Sequence, residues 1–180
     1  MADEPTQQDT SRDAAAVSLA ERLVTAYHEA GHAVMALILG RQIHKITIAP
    51  GQLQTGGVRL GACQIQKRRG KGARDAMEDE ILFLLAGMVA ESQLTERYCA
   101  AGAAQDLAAV RRILRDCPGS ERQLERLERR FLNKTEHLLS AQASVHAIEL
   151  IAKQLLEHTT VSGRAAVHLF EIAQRKFGDD

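Results

Sequence analysis

The sequence has no tryptophan, and aromatic residues make up 3% of its 180 residues. That scarcity argues against a surface built to stack bases. An excess of one charge is lacking too, since 23 Lys and Arg balance 23 Asp and Glu. A dedicated nucleic-acid binder usually carries a basic excess, so no nucleic-acid partner is expected. Only three cysteines occur, Cys63, Cys99 and Cys117, far apart and without a C-x-x-C pair. An odd count at such spacing is not a disulfide framework and fits a reducing, cytoplasmic home. The longest fully apolar run, Ala33 to Leu39, is seven residues. Roughly 20 are needed to span a bilayer, so no membrane insertion is expected. The first residues, Met1 to Pro5, are polar and acidic, the opposite of a signal peptide. Residues 1–15 carry four acids, one Arg and no apolar period, and are expected to form a flexible tail.

What is present suits one globular domain over residues 16–177. Hydrophobic residues make up 45%, enough to bury a core without disulfides. Ser18 and Glu21 form a capping box, and apolar residues from Leu19 to Ile38 follow at helical spacing up to Gly40. Gln42 to Ala49 alternates as a strand, ended by Pro50-Gly51. Gly56 to Gln66 reads as a second strand, with Val58, Leu60 and Ala62 on one face. Together they predict a small antiparallel sheet. Residues 67–74 hold five basic residues and two Gly, which suits a surface loop, either solvated or facing a substrate. The rest reads as helical. Asp75 caps a helix to about Leu94, with Ile81, Leu82, Leu85, Met88 and Val89 inward. Another runs from near Ala104 to before Pro118-Gly119. Ser120 and Gln123 open a third, to about Leu139. Two more cover about Ala141 to Glu157 and the stretch from Ser162 to near Phe177. The fold class is therefore mainly α with a small antiparallel β-sheet.

The chemistry sits in His28-Glu29-Ala30-Gly31-His32, an H-E-x-x-H on a predicted helix. Histidines at i and i+4 share one helix face, so both imidazoles can reach one Zn²⁺. Glu29 is offset by one residue, placed to act as general base on water without being a ligand. The flanks, Thr25 to Tyr27 and Ala33 to Met35, are uncharged, as a buried metal helix requires. Two His and a Glu among apolar neighbours need a partner such as a metal. A catalytic zinc also needs a third protein ligand, and the remaining His, Asp, Glu and Cys are all candidates. His44, His137, His146, His158 and His168 show no ligand spacing.

Beyond the motif, Tyr27-His-Glu-Ala-Gly-His-Ala-Val34 resembles the peptidase domain of the FtsH ATP-dependent zinc proteases, peptidase family M41. Lys45-Ile-Thr-Ile48 with Pro50 resembles that family's first strand. Leu85-Ala-Gly-Met-Val-Ala-Glu91 is similar to its G-G-R-x-A-E-E helix, and Ala101-Gly-Ala-Ala-Gln-Asp-Leu107 to its T-G-A-x-N-D-L segment. Leu155-Leu-Glu-His-Thr-Thr-Val-Ser-Gly163 resembles its L-L-E-x-E-T-L-x-G ending. The resemblance covers about residues 20–175. It implies that Asp106 is the third zinc ligand, and a carboxylate in a first helical turn is favoured there by the macrodipole. It also suggests that Glu91 holds a ligating imidazole, against the alternative of an exposed helix Glu. Gly56-Gly57-Val58 resembles a sheet edge beside the family's cleft, able to pair with an extended substrate. A glycine bulge in an ordinary edge strand is the other reading.

The sequence departs from the family in four ways. It contains no G-x-x-x-x-G-K-[ST] phosphate loop and no membrane helix, the family's Arg in G-G-R is Met88, and the preceding Gly is Ala86. The expectation is a zinc metalloendopeptidase domain, ATP-independent in this chain. Its substrate would be a peptide or unfolded protein, delivered by an unfoldase in trans where one exists. The alternative is a non-catalytic interaction module with a structural zinc. The resemblance also raises a homo-oligomer, since the family packs its peptidase domains in rings.

Overall fold

The computed structural model describes residues 18–52, 58–66 and 73–178. The expected tail over 1–15, Gly56, Gly57 and the basic residues of 67–72 lie outside the described residues. Helix α1 (Leu19–Ile38) begins as its capping box dictates. The Glu21 amide donates to Ser18 Oγ at 3.1 Å, and the Ser18 amide donates to Glu21 Oε2 at 2.8 Å. It ends at Gly40, whose φ of 65° suits a residue without a Cβ. There the Gly40 amide donates to Leu37 O and the Arg41 amide to Ala36 O, a Schellman closure.

The chain then enters β1 (Ile43–Thr47), followed by β2 (Gly51–Gln52), β3 (Val58–Arg59) and β4 (Ala62–Ile65). The stretch expected as one strand from Gly56 to Gln66 is two. β3 pairs with β2 in a small ribbon, whereas β4 pairs antiparallel with β1. The break falls at Leu60-Gly61, where the backbone passes so close to Glu29 that a Cβ on Gly61 would lie 2.5 Å from Glu29 Oε1. Leu60 is accordingly 44% exposed instead of sharing a buried face with Ala62. The three-stranded sheet has the order β4-β1-β5, its third strand being β5 (Thr160–Ser162). No strand was expected there, because three residues are too few to show a period of two.

Helix α2 (Ala73–Thr95) starts two residues before Asp75, which lies in its first turn and not at its cap. Ile81, Leu82, Leu85, Met88 and Val89 are all buried, as expected. Then follow α3 (Ala104–Arg115), α4 (Glu121–Ser140), α5 (Gln142–His158) and α6 (Gly163–Phe177). Ser120 and Ser162 occupy the N-cap positions of α4 and α6. The described residues therefore form a mainly helical domain of six helices with a small antiparallel sheet. None of the helices is long and apolar enough to cross a membrane.

α1 is the central rod. Ala26, Ala30, Ala33, Val34 and Met35 on it are fully buried, in one core with Ile46, Ile81, Leu85, Phe131, Ile148 and Ile151. Leu19, counted in the apolar period, is 78% exposed, because it begins the helix before any other element covers it. The approach of α1 to α2 depends on Gly31. A Cβ there would lie 2.5 Å from Ala90 Cβ and 2.6 Å from Ala86 O, and neither atom can swing away. Gly31→Ala should destabilise the fold by about 1–3 kcal/mol through overpacking. It should do so although alanine favours an isolated helix by about 1 kcal/mol. Urea denaturation checks this, and a midpoint at or above wild type would show that the two helices part freely.

Candidate metal centre

α1 carries His28 and His32 one above the other, and the first turn of α3 brings Asp106 against them. His28 Nε2 lies 3.1 Å from His32 Nε2 and 3.1 Å from Asp106 Oδ2. His32 Nε2 lies 3.3 Å from the same oxygen. Tetrahedral zinc with ligands at about 2.0–2.1 Å separates its donor atoms by roughly 3.3–3.4 Å. The three atoms thus already form one face of such a tetrahedron, and the two-imidazole, one-carboxylate set suits zinc. The floor is α2 backbone. A Cβ on Gly87 would lie 2.5 Å from His28 Nε2 and 2.6 Å from His32 Nε2.

Each imidazole is oriented from behind. His32 Nδ1 is 2.7 Å from the Phe83 carbonyl oxygen, which can only accept. The Nδ1 nitrogen must therefore carry the proton, and in the neutral ring Nε2 is left with its lone pair. The Phe83 ring also packs on the His32 ring, with centroids 4.9 Å apart. His28 Nδ1 lies 3.4 Å from Glu91 Oε2, and Glu91 is buried rather than exposed. Residue Glu29 is buried as well and lines the same cleft as His28, His32 and Asp106. That cleft has a volume of about 580 Å³, and Val24, Leu60, Phe83 and Ala101 are among its apolar walls.

Carboxylates dominate the electrostatics. At His28, burial works against the charged ring. Hydrogen bonds to Asp106 and Glu91 and the charge of Glu29 outweigh it and lift the pKa from 6.5 to about 9. Burial would likewise raise the Asp106 pKa, but hydrogen bonds and charge from His28 and His32 hold it well below the usual carboxylate range. Burial, reinforced by Glu29, pushes the Cys63 thiol up, so it stays protonated in the cleft.

These shifts set a pH window for the metal-free chain. A raised histidine pKa stabilises the fold fully below about 6.5 and loses that contribution as pH rises through about 9. The lowered Asp106 contributes above its unfolded value near 4 and loses that contribution as pH falls. Both report one shared interaction and are not additive. Melting temperature after chelation should therefore fall between pH 6.5 and 9. It should fall less in His28→Gln, and an identical slope in that variant would remove His28 as the cause.

Sequence reasoning anticipated His28, Glu29, His32, Asp106 and Glu91, and the structure brings all five to one cleft. Val58 lies in β3, and Gly56 and Gly57 are outside the described residues. Among the described residues, the segment Leu60 to Cys63, leading into the outer strand β4, lines the cleft. Phe83, Gly61 and Gly87 were missed. Only Gly87 left a signal, as a glycine inside a long helix, where it costs about 1 kcal/mol relative to alanine.

Residues 15–117 match peptidase family M41. The chain is 35% identical over 119 residues to the ATP-dependent zinc metalloprotease FtsH of Acidimicrobium ferrooxidans, covering 62% of this chain and 17% of that protein. It is 38% identical over 101 residues to ATP-dependent zinc metalloprotease FtsH 2 of Alkaliphilus metalliredigens, covering 55% and 14%. The FtsH of Cupriavidus metallidurans is 36% identical over 100 residues, covering 53% and 14%. The matched regions thus span less than a fifth of each of these curated relatives.

Proposed function

The chain belongs to peptidase family M41, and on that premise we propose that it is a zinc metalloendopeptidase whose hydrolytic step needs no nucleotide. The observation that carries the reading is the face of donor atoms 3.1–3.3 Å apart over Gly87, with Glu29 lining the same cleft. His28, His32 and Asp106 would hold the zinc. When bound, zinc polarises the scissile carbonyl and lowers the pKa of water toward neutrality. Glu29 takes the proton of the attacking water as its oxygen adds to the carbonyl carbon. It then passes that proton to the amide nitrogen as the C–N bond breaks. Glu91 and the Phe83 carbonyl keep the two imidazoles turned toward the metal.

The substrate is an extended, unfolded polypeptide, laid along the outer edge of β4 where backbone pairing tolerates many sequences. The relatives' names include ATP dependence, so an ATP-driven unfoldase is the partner that would deliver folded proteins. The zinc-loaded chain should cleave an unfolded labelled protein such as casein with or without ATP, stop on chelation and recover with added zinc. Asp106→Asn should weaken zinc binding by more than about 100-fold, beyond what loss of an outer partner causes. Cleavage that survives chelation would overturn the metal mechanism. Zinc bound at wild-type affinity by Asp106→Asn would remove Asp106 from the ligand set. Zinc uptake without cleavage of any unfolded protein would favour the non-catalytic interaction module.

A further inference from the structure

The Schellman turn at Gly40 aims Arg41, the next residue, back under the cleft. Its side chain is only 9% exposed. Nη2 donates to Glu80 Oε2 at 2.8 Å, and the buried Nη1 has no hydrogen-bond partner among the described residues. The guanidinium carbon sits over the Phe83 ring, 5.1 Å from its centroid. Glu80 and Phe83 are three residues apart on α2 and so share a face. Arg41 therefore clamps one turn of that helix, by an ion pair at one residue and a cation–π contact at the next. Stability alone does not account for it, because an apolar side chain of similar length would fill the space without burying a cation.

What the clamp holds is the residue that orients His32. The Phe83 carbonyl accepts from His32 Nδ1, and the Phe83 ring packs on the His32 ring. We propose that Arg41 is a positioning residue for the metal centre: it fixes Phe83, and through Phe83 the direction in which His32 Nε2 points. The proposal rests on reading His32 as a zinc ligand. Loss of a partner that orients a ligating histidine typically weakens metal binding 10–100-fold. Arg41 acts one contact further out, so about tenfold is expected.

Cobalt(II) tests this, because its visible absorption bands report ligand geometry independently of turnover. Wild type, Arg41→Met, Arg41→Lys and Glu80→Gln are compared for cobalt affinity by chelator competition and for band position and intensity. Arg41→Met should bind about tenfold more weakly, with altered bands. Arg41→Lys, which keeps the charge but not the planar contact on Phe83, should fall between it and wild type. Glu80→Gln changes a carboxylate that is 42% exposed and should shift both readouts in the same direction as Arg41→Met. If Arg41→Met does not fold, Glu80→Gln decides by the same readouts. Wild-type affinity and bands in every folded variant would overturn the proposal while leaving the zinc reading intact. A wild-type chain that takes up no cobalt or zinc would overturn both.

Discussion

Glu29→Gln should lose about 10²–10⁴-fold in turnover of an unfolded protein, the range a positioned general base supplies. Zinc content should stay near wild type. Glutamine has the same shape, so the packing of Gly61 against residue 29 is preserved. It has no carboxylate to accept a proton from water or to return one to the leaving amine. Two effects on metal affinity oppose each other. Removing a buried negative charge weakens attraction for a divalent cation. The same change removes one of the interactions that raise the His28 pKa, so protons compete less for that ring. Casein cleavage measured beside the metal content of the purified chain separates the outcomes. Turnover retained in Glu29→Gln would sink the general-base role. Zinc lost together with turnover would place Glu29 in the ligand set, where the three-atom face does not require it.

The parts of this centre legible in sequence are those that depend on neighbours in sequence. His28 and His32 meet because they are four apart on a helix with a capping box at one end and Gly40 at the other. The same holds for α4 and α6, which begin at Ser120 and Ser162 as their caps imply. Asp106 lies 78 residues from His28. Its position in a first helical turn is a weak signal, and resemblance to a family was what singled it out. Glu91 is 63 residues away and reads equally well as a surface acid until α2 is seen to pack on α1. Phe83 contributes a carbonyl, which no residue type advertises. Gly61 and Gly87 contribute the absence of a side chain, which acquires meaning only when another element arrives opposite. The sheet shows the same limit. β1 is long enough to alternate, whereas β5 is three residues and is defined by its partner.

Gly87 brings the packing and the chemistry to one atom. Helix propensity favours Gly87→Ala by about 1 kcal/mol. The added Cβ would nevertheless lie 2.5–2.6 Å from both Nε2 atoms, in the space toward which the ligand atoms converge. The atoms it meets are the ends of side chains, so the rings can turn aside without unfolding α1 or α2. They cannot do so and keep three donors on one tetrahedral face, because His32 is tied to Phe83 and His28 to Glu91 and Asp106. Gly87→Ala should therefore fold with a melting temperature close to that of the metal-free wild type. Zinc affinity should drop more than about 100-fold, since both histidines proposed as ligands are displaced at once. Gly51→Ala is the control, because a Cβ there meets nothing within 4 Å among the described residues, and it should bind zinc as wild type does. Isothermal titration of the chelated proteins with zinc, alongside thermal melts, reads both effects. Wild-type affinity in Gly87→Ala would place the metal away from the α2 backbone and break the geometry on which the peptidase reading stands.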